Sequence, residues 1–108
     1  MTRANDCDLG GALGLARRAG SLAWGARAVE KAVGRGQAEI VVLAEDAADR
    51  TRARIQRLSQ NAGIPVVSCS SSDDLGGWIG LGRVATCAVT DANLARSIAR
   101  GDRPSKRR

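Results

Sequence analysis

A chain of 108 residues, 44% of them hydrophobic, has the size of one domain and enough apolar material for a single packed core. Its three cysteines lack Cys-x-x-Cys spacing and there is no histidine, which excludes a zinc site and leaves the usual hydrolase triads without their base. Seventeen basic residues against eleven acidic ones give a net charge of +6, which points toward polyanionic partners, nucleic acid first.

In chain order, Leu9, Leu13 and Ala16 recur at helical spacing after the potential caps Asp6 and Asp8, and Arg17 and Arg18 fill the last turn before Gly20. Ser21 to Trp24 fits a short strand. Gly25 then opens a second helix with Val29, Ala32 and Val33 on one face, ended by Gly34 and Gly36. The unbroken aliphatic run Ile40 to Ala44 predicts a strand covered on both faces. Asp46 or Asp49 is the expected cap of a third helix with Ile55, Leu58 and Ala62 toward the core and Gly63 as its stop.

Ile64 to Cys69 reads as the next strand, with Pro65 near its start, and Ser70 to Ser72 as a polar turn. A short helix from about Asp73 to Trp78, the loop Gly80-Leu81-Gly82 and a strand from Arg83 to Thr90 follow. Thr90 or Asp91 caps a last helix carrying Leu94, Ala95 and Ile98. This alternation predicts an α/β fold, a three-layer α/β/α sandwich, formed by one domain over residues 1–100. Arg103, Lys106, Arg107 and Arg108 belong to an expected basic, disordered tail over 101–108.

Cys69 and Cys87 sit inside apolar runs, and an odd cysteine count suits a reducing compartment, so a cytoplasmic location is expected. No charged segment leads into a hydrophobic run at the N-terminus, and no window reaches 18 apolar residues; neither secretion nor a membrane partner is expected.

The adjacent carboxylates Glu45-Asp46 and Asp73-Asp74 stand at a strand end and a helix start, where capping explains them better than catalysis. No phosphate loop of the Walker type is present. Gly80-Leu81-Gly82 continues as Arg-Val-Ala and precedes a strand, whereas a dinucleotide fingerprint opens a helix. The chain therefore reads as no enzyme, with no cofactor and no metal.

Trp24 and Trp78 are the only aromatic residues, too few for the stacking sheet of an RRM or an OB-fold, and both read as packing residues at element ends, with a place near an RNA edge as the lesser alternative for Trp78. Recognition of a nucleic acid must then rest on shape, phosphates and polar contacts. Arg27, Lys31 and Arg35 form a ridge at i, i+4 and i+8 just after Gly25, where a helix N-terminus offers free N–H groups to a close strand. Spacing alone equally allows a solvated face whose charge Glu30 moderates. A second stripe, Arg50, Arg54 and Arg57, reads as a solvated face.

The run Ala19-Gly20-Ser21-Leu22-Ala23-Trp24-Gly25, followed by Ala28-Val29-Glu30-Lys31-Ala32-Val33 and Gly36, resembles the YlxQ-like bacterial branch of the L-seven-Ae ribosomal protein family. Val41-Val42-Leu43-Ala44-Glu45-Asp46-Ala47, Thr51, Ile64-Pro65-Val66, Leu75-Gly76, Ile79-Gly80 and Val89-Thr90-Asp91 continue the resemblance in order, so that it covers about residues 9 to 100. It implies a four-stranded mixed sheet and non-catalytic binding of kink-turn or similarly bent structured RNA, ribosomal RNA among the candidates, by a monomer associated with the ribosome or translation. Carried over by position, Gly25, Ala26, Arg27, Ala28 and Lys31 would contact the sheared G·A pairs at the bend. Leu81, Gly82, Arg83 and Val84 would form a loop over an extruded nucleotide. Archaeal ribosomal members read Gly-x-Asn-Glu at the helix start, whereas this chain has Gly25-Ala26-Arg27-Ala28; Arg27 is the candidate replacement, through the guanine O6/N7 edge. A protein–protein interaction module of the same fold is the alternative, one for which the ridge has no use. A substrate-recruiting role in an RNA methyltransferase is not expected, since 108 residues leave no room for the catalytic part.

Overall fold

The computed structural model describes residues 2–3 and 6–100, with side chains from residue 9 to residue 98; the tail assigned to 101–108 lies outside the described residues. The elements run β1 (Thr2–Arg3), α1 (Asp6–Arg18), β2 (Leu22–Trp24), α2 (Ala26–Gly34), β3 (Ile40–Ala44), α3 (Asp49–Asn61), β4 (Val66–Cys69), α4 (Ser72–Trp78), β5 (Thr86–Val89) and α5 (Ala92–Arg100). β3 lies at the centre of the sheet because all five of its residues are apolar and buried. It pairs in parallel with β4 and antiparallel with β5, whose other edge takes β2, also antiparallel. Four strands thus make the expected mixed sheet, and the two-residue β1 adds a parallel pairing beyond β4, giving the order β1-β4-β3-β5-β2.

Strand periodicity divides the core into the two outer layers. Ile40, Val42 and Ala44 face one way, with Val67, Cys69, Cys87 and Val89, against Leu9 and Leu13 of α1, Leu75 of α4 and Ile98 of α5. Val41 and Leu43 face the other way, against Val29 and Val33 of α2 and Ile55 of α3. Each such Leu, Ile or Val, fully buried, contributes about 1.5–3 kcal/mol relative to exposure. Within this interior the Thr86 hydroxyl donates to the Val42 carbonyl at 2.7 Å, satisfying a polar group that the sheet buries.

Several boundaries differ from those expected. α3 is preceded by Ala48, which makes no side-chain cap; neither Asp46 nor Asp49 serves, because the turn after β3 aims Asp46 at the start of α4. Ser71 caps α4 by accepting from the Asp74 N–H at 3.0 Å, so the helix starts one position earlier than its sequence suggests. Asp91 does cap α5, accepting from Asn93 and Leu94 at 2.8 and 3.0 Å. Ala62 falls at the exposed end of α3, where Ser59 takes the buried position instead. β5 starts three residues later than expected, so Arg83 to Ala85 belong to the loop before it.

Candidate functional site

Gly25 joins the edge strand β2 to α2 at φ +91° and ψ 150°, a conformation that is essentially confined to glycine. A Cβ placed there would meet nothing within 4 Å, so it is the backbone angle and not packing that calls for glycine, and the space above the turn is open. No side chain caps α2 and no acid lies in its first turn, which leaves its leading N–H groups and their partial positive charge to a ligand.

The turn is tied to the second predicted segment through the backbone. Gly25 N–H donates to the Thr86 carbonyl at 2.9 Å, at the point where the Leu81–Val84 loop enters β5. The strand pairing Trp24 with Cys87 therefore brings the α2 start and the base of that loop to the same end of the sheet. Inside the loop, Leu81 N–H donates to Gly76 at 2.8 Å and Val84 N–H to Ser72 at 3.1 Å, so the loop lies directly on α4. This contact requires Gly76: a Cβ there would fall 1.5 Å from the Gly82 carbonyl oxygen.

Val84 is buried and Leu81 half-buried in the α1/α4/α5 layer, which leaves Gly82 and Arg83 as the exposed part of the loop. Arg83 is flanked by two carboxylates, Nη2 at 3.6 Å from Asp46 and Nε at 3.6 Å from Asp73. Asp46 is itself anchored, accepting from the Ser72 N–H at 2.8 Å and the Ser72 hydroxyl at 2.7 Å. Those two Ser72 hydrogen bonds, with a smaller contribution from Arg83, hold the Asp46 carboxyl below its ordinary value. The sequence placed Asp46 at a cap and missed its hold on Arg83, since the two are far apart in the chain.

Arg27, Lys31 and Arg35 are all exposed, as the ridge requires. Glu30 does not moderate them: its carboxylate accepts from the Arg54 Nε at 2.8 Å, across to α3. That pairing raises the Arg54 pKa above its usual value, first through the hydrogen bond and then through the charge. Of the two tryptophans, Trp78 is half-buried, its ring 3.0 Å from where a Cβ on Gly10 would stand. Trp24 differs from expectation, 41% exposed at the end of an edge strand.

Among the described residues no group of three or more His, Cys, Asp or Glu could hold a metal ion. Nor is any of their helices long and apolar enough to cross a membrane.

A solved structure of a protein with unknown function from Bacillus halodurans C is similar at 33% identity and a TM-score of 0.83, covering 86% of this chain and 94% of that one. A Giardia lamblia 15.5kD RNA binding protein shares the fold at 20% identity, with a TM-score of 0.75 over 93% of this chain and 94% of its own. The profile of the ribosomal protein L7Ae/L30e/S12e/Gadd45 family matches residues 8–99, from within α1 to within α5. Since that span takes in β2 through β5 and both segments of the candidate site, the chain belongs to the ribosomal protein L7Ae/L30e/S12e/Gadd45 family.

Proposed function

We propose that this chain, as a YlxQ-like bacterial member of its family, binds a kink-turn or similarly bent RNA without altering it chemically, as a cytoplasmic, translation-associated protein. The observation that carries this reading is the uncapped, glycine-opened start of α2, free of acids in its first turn and bordered by the exposed Arg27 and Lys31. A bent RNA strand can approach the Gly25 backbone closely there, with phosphates or guanine edges meeting the N–H groups and the two cations. Arg83, on the loop joined to Gly25 through Thr86, adds a hydrogen-bond donor positioned by Asp46 and Asp73, whose carboxylates offset its charge. The net charge of +6 adds long-range attraction. The Giardia lamblia protein of the same fold is named for RNA binding, which agrees with this reading.

The test is a pair of RNAs of equal length, one with a kink-turn and one a straight duplex, titrated at physiological salt. The bent RNA is expected to bind more tightly, and both affinities to fall as salt rises. Equal affinities would reduce the chain to a polycation and reject shape recognition.

A further inference from the structure

Trp24 is held in place without being buried. Its indole carries the Arg17 guanidinium over one face, Cζ 5.3 Å from the ring centroid, within the range of a cation–π contact. The same guanidinium donates from Nη1 to the Ile79 carbonyl and lies 3.1 Å from where a Cβ on Gly80 would stand. Arg17 thus links the end of α1, the end of β2 and the segment after α4. Adjoining it, a cleft of about 490 Å3 runs between α1 and α4; its lining includes Arg17 and Arg18 and no carboxylate. Sites for small ligands and nucleotides fall in the range of about 300–1,000 Å3.

Resting on the RNA-binding reading above, we propose that Trp24 is a stacking platform for one unpaired nucleobase of the bound RNA, with Arg17 and Arg18 receiving its phosphate. Three features favour a nucleobase over an apolar peptide side chain. The indole directly precedes Gly25, the point of closest RNA approach. Its surroundings are cationic, with Arg17 over the ring, Arg18 beside Arg17 in the lining of the adjoining cleft, and Arg27 three residues on along the chain. A flat aromatic already fixed by a cation on one face stacks a second flat ring at little cost in ordering, and such stacking accepts any base. The platform is built on β2 and α1, whereas the cover expected over an extruded nucleotide is the segment Leu81 to Val84.

The test uses the full chain and a kink-turn RNA in which each unpaired nucleotide is replaced in turn by an abasic linker. One replacement should weaken binding by the wild-type protein about tenfold. Tryptophan emission should be quenched by the parent RNA and not by that abasic one. Trp24→Leu should bind the parent RNA about tenfold more weakly, show no quenching of its remaining Trp78, and bind the critical abasic RNA as the wild type does. Trp24→Tyr should restore most of the parent affinity, and thermal unfolding of both variants should match the wild type. An unchanged affinity of Trp24→Leu, or an equal loss on parent and abasic RNAs, overturns the platform while leaving the preference for bent RNA standing. Equal binding of the wild type to bent and straight RNA overturns both readings together.

Discussion

Arg54 Nε lies 2.8 Å from Glu30 Oε2, so the single acid of α2 is turned toward α3 and away from the ridge of Arg27, Lys31 and Arg35. The pair has consequences on both helices. On α2 it removes the residue that would have moderated the ridge, and with it the main support for treating the ridge as a plain solvated face. On α3 it neutralises the central member of the Arg50, Arg54 and Arg57 stripe, while Arg52 reaches Asp49 at 3.9 Å. Two helices with similar arginine spacing therefore differ in the charge they present.

Replacing Arg27 and Lys31 together with Ala should abolish most of the discrimination between bent and straight RNA, costing about 1–3 kcal/mol for each hydrogen-bonded pairing with a base edge that is removed. Replacing Arg50, Arg54 and Arg57 should weaken both RNAs about equally and mainly flatten the salt dependence. Binding isotherms at several salt concentrations check this, after thermal unfolding shows both variants intact. If the α3 variant loses the preference while the α2 variant keeps it, the site has been placed on the wrong helix.

How much of this was legible in the sequence depended on the range of the interaction. Period and glycine stops gave α2 its limits and core face, and the aliphatic run Ile40 to Ala44 marked the central strand, because these signals are local. The start of α3 differs from its sequence expectation for the opposite reason: Asp46 finds its partner in Ser72, 26 residues away, and no spacing rule reports that. Trp24 reads as a packing residue in the sequence because its apolar neighbours do not reveal that β2 is an edge strand. Likewise the strand expected from Arg83 begins only at Thr86, and local pattern does not report that Val84, in the loop before it, is buried.

Gly76 sets how the exposed loop rests on α4. Gly76→Ala would place a Cβ 1.5 Å from the Gly82 carbonyl oxygen, a backbone atom that cannot give way without moving the loop. A destabilisation of about 1–3 kcal/mol is expected from such overpacking. Gly77→Ala is the control, since a Cβ there would meet nothing within 4 Å. Denaturant melts of the two variants should separate clearly; coincident melts would show that the loop moves aside freely.

Gly25 answers to conformation instead. With φ at +91° and ψ at 150°, Gly25→Ala should cost about 1–3 kcal/mol, although the added methyl meets no neighbour. The same exchange at Gly34, inside α2 and also in open space, should be neutral or stabilise by about 0.5–1 kcal/mol. Chemical denaturation checks the pair. A Gly25→Ala protein as stable as the wild type would mean that the turn has an accessible alternative, and the open approach to α2 would lose its structural basis.

Asp46 gives the fold a pH dependence whose sign can be stated. Its carboxyl is held below the ordinary 3.8, first by the Ser72 hydroxyl and backbone hydrogen bonds and then by Arg83. A depressed folded value means that the native state prefers the ionised form, so the stabilisation is fully present above the unfolded value. It is lost as pH falls through the folded value. Asp46→Asn keeps a carbonyl acceptor for Ser72 but removes the charge that strengthens both bonds and attracts Arg83. The wild type should therefore melt higher than Asp46→Asn at about pH 7, by a margin that stays level down to about pH 5 and closes below about pH 4. Salt separates the two causes. The 3.6 Å contact with Arg83 is exposed and screened, whereas the Ser72 bonds act at contact, so most of the margin at neutral pH should survive about 0.5 M salt. A margin that disappears in salt would reassign the effect to Arg83, and one that ignores pH altogether would show that the Asp46 charge does not hold the loop.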